Sequence, residues 1–268
     1  MNRNTVLLTT LLLFALHAVT LAAEVIIVPS QGARSISQAM VRARSGDTIM
    51  VEDGVYKESI FLKADVTVKA RNRHKAIIDG GGRGIAVTMS ANSTLSGMSV
   101  TNATIGVFSN SSSAVLEHCL INQNWMTGVM SVRHLPQMND NTVVFNKGSG
   151  LVIWDARSTN SAVEHNTIAY NVGFGVFLGG RSEVVMRNNT VAYNQKFGLR
   201  MSDESKESNI IGNNFFGNLH ALYNMPDGNY SFDPQFRSAR VDMDFQPDAK
   251  CCAIRTSNNE NLGVRFSK

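Results

Sequence analysis

Cysteine is scarce in this chain, with three residues in 268. Cys251 and Cys252 are adjacent and cannot bridge each other without strain, and Cys119 stands alone. A disulfide framework is therefore excluded, and the spacing is not that of zinc ligands. Proline is limited to five residues and charged side chains to 17%. Sparse Lys and Glu argue against a helical protein. The basic residues are scattered, apart from Arg71-Asn72-Arg73-His74-Lys75, and the formal net charge is +4. That balance suits an acidic partner such as a polyuronate and leaves no nucleic-acid footprint. Long hydrophobic runs are also missing, except near the N-terminus. There Arg3 precedes an apolar stretch from Val6 to Leu16, followed by small residues at Thr20, Ala22 and Ala23. The stretch is shorter than the ~20 residues that span a bilayer. It reads as a signal peptide over 1–23, which places the mature chain in a secreted or periplasmic compartment without a membrane span.

Asparagine and glycine are abundant, and they recur together. The pattern Asn-x-x-x-Gly followed by Val or Leu appears at Asn102–Gly106, Asn124–Gly128, Asn146–Gly150, Asn171–Gly175 and Asn194–Gly198. Successive glycines are 22, 22, 25 and 23 residues apart. Gly84 extends the series backward without its Asn, and Asn218 extends it forward without its Gly. A fixed period of this length is the mark of a solenoid. Each copy carries a short apolar run before the Asn, such as Thr142-Val143, and another after the Gly, such as Leu151-Val152-Ile153. Runs this short bury a core only by stacking on the next coil at ~4.8 Å. The fold expected is all-β, a right-handed parallel β-helix over 24–240, with a capping tail over 241–268.

Stacking predicts polar columns. One would hold Asn102, Asn124, Asn146, Asn171, Asn194 and Asn218, and another Asn141, Asn166 and Asn189. Phe145, Tyr170 and Tyr193 would form an aromatic stack. Glycine would supply tight, positive-φ corners. Asn92, Asn102, Asn110, Asn188 and Asn229 also head glycosylation sequons. At the N-terminal end, Ser35 as N-cap and apolar Ile36, Ala39, Met40 and Ala43 on one face predict a short helix that plugs the opening.

The stretch Ile36 to Ile60, with its Gly-Asp-Thr-Ile-Met-Val and Gly-Val-Tyr-Lys-Glu-Ser-Ile segments, resembles the entry coil of the pectin-lyase-like superfamily. The repeats are similar to the NosD-like and carbohydrate-binding/sugar-hydrolase group, and Phe232-Asp233-Pro234-Gln235-Phe236 resembles the segment that follows the last coil there. The resemblance implies the fold over about 25–240. It implies no single activity, since the superfold carries lyases, hydrolases, epimerases, esterases and binders. The polygalacturonase signatures are absent, as is the epimerase Asp-Pro-His-Asp. No pectate-lyase calcium cluster is visible, and no cofactor or metal is expected.

Counting from the repeat glycine, positions two and four residues on point outward. The first column is Phe108, Met130, Val152, Phe177 and Arg200; the second contains Trp154. An outward column this apolar would stack sugar rings or a partner, unless a loop or the C-terminal tail covers it. The adjoining turn carries Arg133, His134, Asp155, Arg157, Arg181, Asp203 and Glu204. Asp155 and Asp203 lie two coils apart, roughly 9–10 Å at the ~4.8 Å rise, with Arg181 expected between them. Substrate contacts would then come from Phe108, Trp154, Phe177, Arg200, Arg157 and His134. Asp155, Arg181 and Asp203 would be the catalytic candidates. The residues leave three readings open: a binder of acidic polysaccharide, a polyuronate lyase or C5-epimerase, and a protein-interaction solenoid. Glu117-His118, Asp140 and Glu164-His165 share another turn and are expected to be solvated.

Overall fold

A computed structural model describes residues 22–158, 161–205, 209–220, 226–238 and 244–247. The chain winds as a right-handed parallel β-solenoid of about 8 turns. Each full coil contributes one strand to each of three parallel sheets, of nine, eight and seven strands. In one coil these are Gln137–Asn139, Thr142–Val144 and Ser149–Arg157. The eight- and seven-stranded sheets correspond to the two apolar runs of the repeat. The nine-stranded sheet is the one that the periodicity did not announce. Its later strands shorten to two residues, Val163–Glu164, Met186–Arg187 and Ile210–Ile211, with one buried side chain in each.

The core is the stack of inward residues. Leu116, Met138, Val163, Met186 and Ile210 come from the nine-stranded sheet, and Ile121, Val143, Ile168, Val191 and Phe215 from the eight-stranded one. The N-terminal opening is closed by the helix Ile36–Arg42, which buries Ile36, Ala39 and Met40. Ser35 caps it, accepting from the Gln38 N–H. Glu58 completes the cap, taking the Ile36 and Ser37 N–H groups at 2.9 and 2.8 Å. These contacts satisfy donors that a helix start leaves open.

Two asparagine ladders fasten the coils. In each rung an Asn Oδ1 accepts both the main-chain N–H and the side-chain Nδ2 of the Asn one coil earlier. Asn146 takes both donors of Asn124 at 3.0 Å, and Asn171 takes those of Asn146 at 3.0 and 2.9 Å. The second ladder runs Asn141, Asn166, Asn189, Asn213 and Asn229, longer than expected. Asn229 spends its amide on the ladder. Asn102 is a correction. The head of the first ladder is Ala103, whose N–H meets Asn124 Oδ1 at 3.1 Å. Asn102 sits one residue earlier, with a φ of 53° like Gln123, Phe145, Tyr170 and Tyr193. Relative to the repeat glycine, the corner in this coil comes one residue later than in the coils that follow.

The repeat glycines are also there for a different reason than expected. Gly106, Gly128, Gly150, Gly175 and Gly198 do not have positive φ; the left-handed corners belong to the Asn102 column and to His118, Asp140, His165 and Asn188. The glycines are needed for space. A Cβ on Gly150 would lie 2.6 Å from Ile168 Cγ2, 2.8 Å from the Gly175 carbonyl and 2.9 Å from Asn171 Nδ2.

The described part of the C-terminus is an antiparallel hairpin, Phe236–Ser238 with Asp244–Pro247. Phe236 and Phe245 lie against the side of the solenoid, on the stack of Phe145, Tyr170 and Tyr193. The stacked pairs Phe145–Tyr170 and Tyr170–Tyr193 have centroids 5.4 and 5.1 Å apart. Tyr193 also bonds to Asp233. The remainder of 241–268, including Cys251 and Cys252, and the segment up to residue 21 that is expected to be a signal peptide lie outside the described residues.

Candidate functional site

The outward column of the seven-stranded sheet has the register that the repeat implies. Phe108, Met130, Val152, Phe177 and Arg200 are direct neighbours on successive strands, and Phe61 and Thr88 continue the column toward the N-terminus. Phe61 and Arg200 at its two ends are exposed, and the side chains between them are half-buried. Trp154 is 45% exposed. A Cβ on Gly179, its neighbour in the next coil, would fall 2.2 Å from Trp154 Cε3 and 2.6 Å from Cζ3. The indole therefore lies over bare backbone with its other face open to solvent. Phe177 stands beside it, at 6.0 Å between centroids.

Phe177 begins a run of rings. It stacks on Phe174 at 5.6 Å, Phe174 meets Phe197 at 6.3 Å, and Phe197 meets His220 at 5.0 Å. Two cations ride on this run: Lys196 Nζ lies 5.3 Å from the Phe174 centroid, and Arg200 Cζ lies 6.0 Å from that of Phe197. Phe174, Phe197, Lys196 and His220 were missed by a reading that began at the glycine. Phe174-Gly175 and Phe197-Gly198 carry the signal one position earlier.

The adjoining turn brings some of the expected residues together. Asp155, with a φ of 51°, folds its carboxylate over the next coil, where Oδ1 accepts the main-chain N–H of Arg181 at 2.9 Å. Gly180 makes room, since a Cβ there would lie 2.0 Å from that oxygen. The Arg181 guanidinium turns away and pairs with Glu204 at 3.0 Å, both side chains well exposed. Asp203 is exposed in the turn after Arg181, His134 pairs in register with Arg157, and both of these are exposed. The grouping is thus Asp155 with the Arg181 backbone and Arg181 with Glu204.

The turn between the nine- and eight-stranded sheets departs from expectation. It is not a solvated edge: Asp140 and His165 are buried, at 4% and 8% exposure. At His118 and Asp140 the Arg71–Lys75 loop reaches across the coils. Arg73 donates to the Asp140 carbonyl at 3.1 Å, and His74 Nε2 sits 2.8 Å from the His118 carbonyl. Burial, with Arg73 alongside, pulls the His74 pKa down to about 4. His118 Nδ1 is buried without a hydrogen-bond partner.

The described residues do not fit a transition-metal centre. No three His, Cys, Asp or Glu side chains among them converge as ligands. The Cys119 thiol faces the core, where burial pushes its pKa up to about 12, far from the thiolate that binds metal. No described helix is long and apolar enough to cross a membrane.

Comparison with known proteins gives the fold its place. Solved structures similar to this chain include an alginate lyase from Paenibacillus sp., at 14% identity over 72% of this chain and 76% of that one, with a TM-score of 0.48. A pectate lyase matches at 14% identity over 91% and 96%, with a TM-score of 0.47. A pectin methylesterase from Erwinia chrysanthemi matches at 12% over 80% and 82%, with a TM-score of 0.45. Likeness at this level carries no inference about activity. No curated protein sequence matches the chain. The family model described as periplasmic copper-binding protein (NosD) matches residues 41–236, most of the solenoid, and the chain belongs to that family.

Proposed function

We propose that the protein is an extracytoplasmic binder of acidic polysaccharide, and that the open face of its seven-stranded sheet is the binding surface. The observation that carries this reading is the continuous run of rings from half-exposed Trp154 through Phe177 and Phe174 to Phe197, fringed by Lys196 and Arg200. Rings on a rigid sheet offer flat apolar platforms to the C–H faces of sugars at little entropic cost. Cations beside them suit carboxylates. Export is supported by the signal-peptide pattern expected over 1–23, and a periplasmic site by the family's description. The copper in that description finds no ligand set among the described residues.

A lyase or epimerase is the second reading, favoured by the meeting of Asp155 with Arg181 at one end of the ring run. A carboxylate base beside cations is the arrangement that removes the proton next to a uronate carboxylate. Against it, Asp155 already accepts a main-chain N–H and the Arg181 side chain is engaged by Glu204. One experiment separates the two. Purified mature protein is titrated with polygalacturonate and alginate, with binding and unsaturated-product absorbance followed together. Saturable binding without product, lost in Trp154→Ala, is expected. Product formation abolished by Asp155→Ala or Arg181→Ala would replace binding with catalysis. Silence in both channels would point to a protein partner.

A further inference from the structure

The corner between the eight- and seven-stranded sheets holds a second recess, at the edge of the C-terminal hairpin's footprint. Asn102, Gln123 and Phe145 occupy successive left-handed corners, with φ of 53°, 54° and 55°. After each corner the chain dips inward through Ala103 or a ladder asparagine and then emerges, at Trp125 in one coil and Lys147 in the next. These two positions are pinned by main-chain bonds, Trp125 N–H to the Ala103 carbonyl and Lys147 N–H to the Asn124 carbonyl, both 2.8 Å. The five side chains line an open cleft of about 520 Å³, inside the ~300–1,000 Å³ range of small-ligand sites.

Its lining has a definite chemistry. Trp125 is 59% exposed, and Phe145 forms a firm wall, backed by Tyr170 at 5.4 Å and Phe245 at 5.8 Å. The Asn102 Nδ2 is held by Asp79 at 2.7 Å, which leaves its carbonyl oxygen as an acceptor. Among the described residues, no hydrogen bond or ion pair engages the side chains of Gln123, Trp125 or Lys147. No carboxylate lines the cleft. An aromatic platform, a free amide with donor and acceptor for vicinal hydroxyls, and an unpaired ammonium together match a sugar ring that carries a carboxylate.

We infer that this cleft is a second saccharide subsite, specific for an anionic sugar residue, with Lys147 as its carboxylate contact. The inference rests on the function proposed above for the class of ligand, but its residues are separate. The chain has two tryptophans, and each lies in one of the two surfaces, so each surface carries its own fluorophore. In Trp154→Phe, the emission of Trp125 is followed during titration with trigalacturonate; in Trp125→Phe, that of Trp154. A saturable change at Trp125 is expected, absent with neutral maltotriose. Lys147→Ala in the Trp154→Phe background is expected to weaken it about tenfold, the size of a lost charged hydrogen bond. Lys147→Arg is expected to keep it, and both variants to melt as the parent. A silent Trp125 at concentrations that saturate Trp154 overturns the cleft and leaves the sheet face standing. A responding Trp125 with a silent Trp154 supports the cleft and overturns the sheet face. Silence at both overturns both, and an equal response to maltotriose overturns the anionic specificity.

Discussion

Two aromatic columns run along this solenoid, and they meet opposite fates. Phe145, Tyr170 and Tyr193 stack at the corner of the eight-stranded sheet and are roofed by the chain's own Phe236 and Phe245. Phe108, Phe177 and half-exposed Trp154, with Phe174 and Phe197 beside them, lie on the outward side of the seven-stranded sheet. Both are built from aromatic rings set on stacked coils. The covered column is an internal packing element, and its worth is stability. On the function proposed above, the worth of the open column is binding.

Phe245→Ala tests the covered side most severely. The ring is buried to 1% exposure, and truncating a buried Phe costs about 3–5 kcal/mol. The loss falls on docking of the hairpin, so amide exchange across 236–238 and 244–247 should accelerate before the coils melt. Uncovering the stack should also make it bind a hydrophobic dye. An unchanged exchange pattern would mean that the hairpin is held by contacts other than this ring.

The opposite edge of the eight-stranded sheet is covered too, by the Arg71–Lys75 loop, and pH can test that cover. His74 is held at about 4, below its ordinary 6.5, by burial and then by Arg73. The native state therefore binds fewer protons than the unfolded state. The stability that this contributes is complete above about pH 6.5 and is lost as the pH falls toward 4. The full effect is up to about 3 kcal/mol. His74→Gln should flatten the decline of melting temperature across that window. A variant that keeps the parent's slope would show that another group sets it.

The open side should answer in binding instead. Trp154→Ala is expected to lower affinity for polygalacturonate about tenfold and stability by less than about 1 kcal/mol, since the indole is 45% exposed. Equal losses in both measurements would make Trp154 a packing residue and erase the contrast between the columns.

How much of this was legible in the sequence follows from the same contrast. The coil period, the ladders and the register of the Phe108–Phe177 column were readable, because stacking repeats a residue at fixed spacing. The nine-stranded sheet was not, because a strand such as Met186–Arg187 buries a single side chain and leaves no alternation. Asn102 was misplaced because turn and strand change length independently: the glycines keep a step of 22, while the corner moves by one. The contacts on Asp140 and His118 come from Arg73 and His74, more than 40 residues away along the chain. Which aromatic column is roofed is equally non-local, since the cover comes from Phe236 and Phe245. Of the candidate site, the sequence showed which side chains share a face. It did not show that Arg181 turns to Glu204.

That last contact sets the smallest and most pointed test. Arg181 and Glu204 pair at 3.0 Å with 77% and 63% of their side chains exposed. A pair so open is worth about 0–1 kcal/mol, so Glu204→Gln should leave the melting temperature almost unchanged. The main-chain bond from Arg181 to Asp155 does not depend on Glu204, and the turn should keep its shape. What changes is the freedom of the guanidinium at the end of the ring run. Affinity for polygalacturonate should rise a few-fold and become more sensitive to salt, because a released cation gains a contact that ions screen. Arg181→Ala should move affinity the other way by a similar factor. If Glu204→Gln weakens binding instead, Glu204 positions Arg181 for the ligand, and the ion pair belongs to the binding surface.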